Sequence, residues 1–90
     1  MLALVQTSQF RRDLKKAIKR GRDLVLLTAI IDTLQREKPL PPANRDHALV
    51  GDYIGHRECH VQPDWLLVYR VDHAELILVL QRTGTHADLM

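Results

Sequence analysis

Gln62-Pro-Asp-Trp-Leu-Leu-Val-Tyr-Arg-Val-Asp-His-Ala-Glu-Leu-Ile-Leu-Val-Leu-Gln-Arg82 is the stretch on which the fold turns. Within it, Trp65-Leu-Leu-Val-Tyr69 and Leu76-Ile-Leu-Val-Leu80 are short, apolar on both alternating faces and rich in β-branched and aromatic residues. That texture predicts two central strands, covered on both sides for part of their length. Gln62-Pro63-Asp64 and Asp72-His73-Ala74 carry turn chemistry, so strands at Trp65–Val71 and Glu75–Arg82 join a preceding strand at His56–Val61 in a meander. A further strand is expected at Leu49–Tyr53. Two predicted helices supply one cover, which leaves the other face to a partner or a cleft wall.

Toward the N-terminus, Lys38–Asp46 holds three of the four prolines and reads as a connector, because proline lacks the amide donor that a helix needs. Before it, Asp23 is placed to cap a helix running to about Glu37 and stopped by Pro39. Its Leu24, Leu27, Ile31 and Leu34 share one side, widened by Leu26 and Ile30. Ser8 is placed to cap an earlier helix to about Arg20, with Phe10, Leu14 and Ile18 on its apolar face, and Gly21 ends it. A turn this short makes the helices an antiparallel hairpin. Leu2–Gln6 reads as a strand. The prediction is one α+β domain over residues 1–90: an N-terminal strand, an antiparallel helical hairpin, then an antiparallel strand meander forming one sheet. A chain this short hides only about 60–65 % of its unfolded surface, so the core is thin.

The formal net charge of +2 conceals a division. Residues 1–45 carry ten Lys and Arg against four Asp and Glu; residues 46–90 carry three against seven and hold all five histidines. A basic half fits a polyanionic partner such as nucleic acid. Between Arg11 and Arg22 seven cations accompany the single acid Asp13, so the helix side opposite Phe10, Leu14 and Ile18 is expected to be a cationic stripe. The other half, rich in His, Asp and Glu, fits titratable chemistry. No apolar run approaches the roughly 18 residues of a membrane span, no secretory leader is evident, and Cys59 is the only cysteine; a cytoplasmic address without a membrane partner is the simplest expectation.

Metal binding by His56-x-x-x-His60 is disfavoured, because Gly55 and the strand texture argue against the helix that spacing needs, and Cys59 points away from His60 on a strand. Acid–base chemistry without a metal or cofactor fits better. His60 ends one strand, Asp64 begins the next, and His86 follows the last after Arg82-Thr-Gly-Thr85, so the three can converge. RNA cleavage needs a base for the 2′-OH, an acid for the departing 5′-oxygen and a cation for the charged phosphorane, which two histidines, an aspartate and Arg82 would supply. Trp65 is read first as a packing residue and second as a base-stacking one. Cys59 reads as a small core residue, His56 and His73 as ordinary surface or turn residues, and Arg57 as an ion-pair partner of a carboxylate such as Asp64.

Asp46-His47-Ala-Leu-Val-Gly51, Gly55-x-Arg57-x-x-His60-Val-x-Pro63-Asp64-Trp65-Leu-Leu-Val-Tyr69 and Arg82-Thr-Gly-Thr-His86-x-x-Leu89 resemble the YafQ branch of the RelE/ParE toxin superfamily, over essentially the whole chain. The resemblance implies a ribosome-dependent messenger RNA endonuclease, the toxin of a type II toxin–antitoxin pair, acting in the ribosomal A site without a metal. It also implies a cognate antitoxin, usually with a ribbon-helix-helix DNA-binding end, assembled with the toxin as a hetero-oligomer. By position it marks His47, His60, Asp64 and His86 as catalytic, and Trp65 and Arg82 as matching site positions. The expected roles are His86 as acid, His47 or Asp64 on the base side, His60 orienting the phosphate and Arg82 stabilising its charge. Lys15, Lys16, Lys19 and Arg20 are expected to contact ribosomal RNA. Where the branch tends to place an aromatic four residues after the last histidine, this chain has Met90, which can cover a base but offers no π-face. Two rivals remain: a gyrase-poisoning relative, and an inactive homologue that only binds its antitoxin.

Overall fold

A computed structural model describes residues 1–89. The element order is β1 (Ala3–Gln6), α1 (Ser8–Lys19), α2 (Leu24–Gln35), a 3₁₀ turn at Pro42–Asn44, β2 (His47–Ala48), a second 3₁₀ turn at Gly51–Tyr53, β3 (Arg57–Gln62), β4 (Trp65–Asp72), β5 (Ile77–Gly84) and α3 (His86–Leu89). The five strands form one sheet in the order β1-β5-β4-β3-β2. β3 to β5 run as the expected antiparallel meander, β2 pairs antiparallel with β3, and β1 joins β5 in parallel, Ala3 opposite Ile77 and Gln6 opposite Leu80.

Cys59, Val61, Trp65, Leu67, Tyr69, Leu78 and Leu80 share one core with Phe10 and Ala17 of α1 and Leu27, Ile30 and Leu34 of α2. Leu66, Val68 and Val79, on the opposite face, are also buried. Their cover is the chain itself. His56, ahead of β3, reaches Gln81 on β5 at 3.4 Å and must cross β4 to do so, which lays the segment before β3 over that face. No external partner is needed there.

Several boundaries differ from expectation for physical reasons. The cap of α1 is Thr7, not Ser8: its hydroxyl accepts from the Phe10 amide at 2.9 Å and donates to the Gln81 carbonyl at 2.8 Å, joining the helix start to β5. Asp23 does cap α2, accepting from Val25 N at 3.0 Å. That helix ends at Gln35, before Pro39, and Glu37 takes a positive φ of 54°. Ile18 is exposed, and Asp13 rather than Ile18 is buried on α1 with Phe10 and Ala17. Leu49–Tyr53 is not a strand: pairing stops after Ala48, and Gly51, at φ 70°, opens a 3₁₀ turn. β5 starts later because Asp72 accepts the amides of both Ala74 and Glu75 in a longer turn.

One irregularity controls the site. Tyr69 faces Leu80 and Val68 faces Arg82, so Gln81 is an extra residue in β5. Strict alternation from Leu78 and Leu80 would send Arg82 into the core; the bulge sends Thr83 there instead. β1 also ends opposite Leu80, leaving the next residues of β5 without a strand neighbour on that side, and α1 fills that edge: Asp13 accepts the Thr83 amide at 3.1 Å.

Candidate active site

Three of the proposed catalytic residues meet at one end of the sheet. Asp64 sits in the two-residue turn between β3 and β4, where Gln62 pairs with Trp65. Its Oδ1 accepts from the His86 backbone amide at 3.0 Å and lies 2.7 Å from His86 Nδ1. These bonds, the backbone one first, hold the Asp64 carboxyl below its ordinary 3.8. An ionised carboxylate can only accept, so Nδ1 carries the proton and Nε2 is left to face a ligand. His60, at the end of β3, has Nδ1 3.2 Å from the Pro63 carbonyl, and its ring centre lies 5.5 Å from that of His86.

His47 stands one step along the same face. Across β2 and β3 it pairs with Glu58, two residues before His60, and its Nε2 is 3.6 Å from Glu58 Oε1. Its Nδ1 lies 2.7 Å from the Arg45 carbonyl. All three imidazoles are therefore tied at Nδ1 to an oxygen that only accepts, which leaves Nε2 open in His60 and His86, whereas Nε2 of His47 faces Glu58. Half of the His47 and His86 side-chain surface is exposed. A concave region of about 370 Å³ opens beside His60, bounded by Asn44, Arg45, Gln62 and Pro63. Among the described residues no three His, Cys, Asp or Glu converge to hold a metal ion.

The remaining proposed residues lie elsewhere. Trp65 is 1 % exposed, and its indole N–H donates to Thr83 Oγ1 at 2.9 Å, so it is a buried wall and not an open stacking platform. Arg82 is held by Asp13, with Nε 2.9 Å from one oxygen and Nη2 3.1 Å from the other. That bond to Asp13 raises the Arg82 pKa. Burial pushes Asp13 up, yet the bonds from Arg82, Gln9 and Thr83 win and hold it below 3.8. Lys15, Lys16 and Lys19 are exposed on α1, as expected. Arg20 points instead to Asp88, at 2.6 Å. Met90 lies outside the described residues.

Arg57 pairs with Asp46 at 3.3 Å, not with Asp64. Cys59 is fully buried, and burial pushes its thiol to about 12. His73 is exposed beside Glu37, whereas His56 is half-buried with Nδ1 unpartnered. Four relevant residues escape a reading of the sequence: Asp13, Glu58, Arg22 and Asp88. Only Asp13 left a signal there, as the lone acid of a cationic run at helical spacing from Phe10 and Ala17.

A mixed sheet backed by two consecutive helices, with imidazoles and a carboxylate gathered at its end, defines a small α+β domain of the RelE-like type. The model of the bacterial YafQ toxin of type II toxin–antitoxin systems matches residues 2–90. The chain is 39 % identical over 84 residues to the mRNA interferase toxin YafQ of Escherichia coli, covering 92 % of this chain and 89 % of that one. Among solved structures it is similar to a metal-bound toxin from Helicobacter pylori, at TM-score 0.95 and 42 % identity over all of both chains. It is also similar to the E. coli DinJ–YafQ toxin–antitoxin complex, at TM-score 0.89 and 37 % identity, covering 99 % of this chain and 97 % of that one. The chain belongs to the YafQ family of bacterial type II toxins, whose curated Escherichia coli relatives are named mRNA interferases, that is, endoribonucleases.

Proposed function

We propose that this chain, acting as a single domain over residues 1–90, cleaves messenger RNA on the ribosome by acid–base catalysis. One observation carries the reading: the His86–Asp64 contact of 2.7 Å, with the His60 ring 5.5 Å from that of His86, in a chain of this family. A base takes the 2′-OH proton, the 2′-oxygen attacks phosphorus, and the 5′-oxygen departs with a proton from the acid. The products are a 2′,3′-cyclic phosphate and a 5′-OH. His86, oriented through Nδ1 by Asp64, enters the step as the imidazolium and gives its Nε2 proton to the departing 5′-oxygen, ending as the neutral ring with its remaining proton on Nδ1. The base side falls to His47 or to Asp64, whose two bonds from His86 both fall on Oδ1, with His60 orienting the phosphate.

The lysines of α1 would meet ribosomal RNA, and Met90 would cover a base. A cognate antitoxin, of ribbon-helix-helix type, would bind the toxin as a hetero-oligomer in the cytoplasm, in line with the DinJ-bound relative. Among the described residues no helix is long and apolar enough to cross a membrane. Purified protein on programmed ribosomes, run beside a gyrase assay, tests the reading. New messenger ends are expected; gyrase–DNA adducts, or neither product, would overturn it.

A further inference from the structure

The four residues between α1 and α2, Arg20 to Asp23, carry two arginines that turn away from the lysine face and into the scaffolding of the site. Arg20 grips Asp88 with both ends of its guanidinium, Nη1 to Oδ2 at 2.6 Å and Nη2 to Oδ1 at 3.3 Å. Asp88 also accepts the Thr85 amide at 2.9 Å, while its own amide donates to Thr85 Oγ1 at 3.1 Å. A Cβ at Gly84 would lie 2.9 Å from Asp88, so only glycine lets α3 fold back this closely on β5. Arg22 reaches the other side of the site. It donates to Gln62 Oε1 at 3.3 Å and to the Asp64 carbonyl at 3.4 Å, and lies over the Trp65 ring 5.5 Å from its centre.

We propose that Arg20 and Arg22 are positioning residues: the α1–α2 turn clamps α3, which carries His86, against the β3–β4 turn, which carries Asp64 and offers the Pro63 carbonyl to His60. This rests on the nuclease reading above. α3 is four residues long with none buried, far below the length at which a helix holds itself, so polar contacts at its two ends set where His86 sits. Those contacts are Asp64 at the start and Arg20 through Asp88 near the end. Exposed ion pairs add little to global stability, whereas a misplacement of about 1 Å at a reacting group costs on the order of 10²-fold in rate. The clamp therefore acts on geometry with little effect on folding.

The test compares Arg20→Gln, Arg20→Lys, Asp88→Asn, Arg22→Gln and the exchange Arg20→Asp with Asp88→Arg. On programmed ribosomes, Arg20→Gln and Asp88→Asn should each lower the cleavage rate at saturation about tenfold or more, with the half-saturating ribosome concentration within about twofold. Arg20→Lys should fall between, Arg22→Gln should resemble Arg20→Gln, and the exchange should recover most of the rate. In the isolated protein, the His86 ring-nitrogen resonances should move in these variants while the melting temperature holds. A weaker half-saturation with an intact rate in Arg20→Gln would make Arg20 an RNA ligand and overturn the clamp, as would His86 resonances that stay in place throughout. Should the unaltered protein cut no messenger, the nuclease reading fails, and the resonances alone then decide the clamp.

Discussion

Asp13–Arg82 and Asp64–His86 are both carboxylates facing a cationic or protonatable partner across β5 or its end, yet the molecule uses them differently. Asp13 has 4 % of its side chain exposed and accepts from Gln9, twice from Arg82, and from the Thr83 amide. Asp64 has 64 % exposed, and its Oδ1 takes two bonds, both from His86. Saturation and burial make the first pair a seam between α1 and β5. Exposure and spare bonding capacity make the second available to a substrate. Environment divides two similar pairs into architecture and chemistry.

Removing the reactive half should give the largest effect. His86→Ala is expected to lower messenger cleavage on ribosomes by about 10²–10⁴-fold while unfolding within about 0.5 kcal/mol of the parent, because the side chain is half-exposed and packs on little. Full activity in that variant would end the contrast. The opposite signature is expected of the seam. Asp13→Ala leaves the Arg82 guanidinium and the Thr83 amide without their acceptor, which costs about 3–5 kcal/mol in denaturant melts. That is a large part of the stability of a small domain.

The same pair should appear in acid. Asp13 is held below 3.8 in the folded protein, so it binds fewer protons folded than unfolded there. Its contribution is whole above about 3.8 and drains away as pH falls through the folded value. Urea melts from pH 5 to pH 2 should show this loss, and Asp13→Asn should flatten the curve.

How much of this the sequence discloses follows from the range of each signal. The runs Trp65–Tyr69 and Leu76–Leu80 announced central strands because burial on both faces is written in consecutive residues, and the convergence of His60, Asp64 and His86 was legible because tight connections bound them. The bulge at Gln81 was not. An extra residue in a strand leaves no mark in composition, yet it decides that Thr83 enters the core while Arg82 does not. Asp13 was visible as the lone acid of the cationic run but its burial was not, since pairing with a residue 69 positions away is a tertiary fact. Arg20 and Arg22 looked like more of the cationic stripe for the same reason: charge is local information, and the partner is not.

That last confusion leads to the smallest expected effect, which sharpens the contrast from the surface. If the basic half binds a polyanion, the binding charges are those with no partner of their own, and Arg20 is committed to Asp88 whereas Lys15, Lys16 and Lys19 stand exposed along α1. Reversing the three lysines to glutamate should leave the melting temperature nearly unchanged, as surface changes do. Ribosome binding should weaken about tenfold at moderate salt, with the dependence of log affinity on log salt shallower by about 2–3, close to one released counterion per lost phosphate contact. An unaltered salt slope in the triple variant would show that the lysines merely solvate the helix.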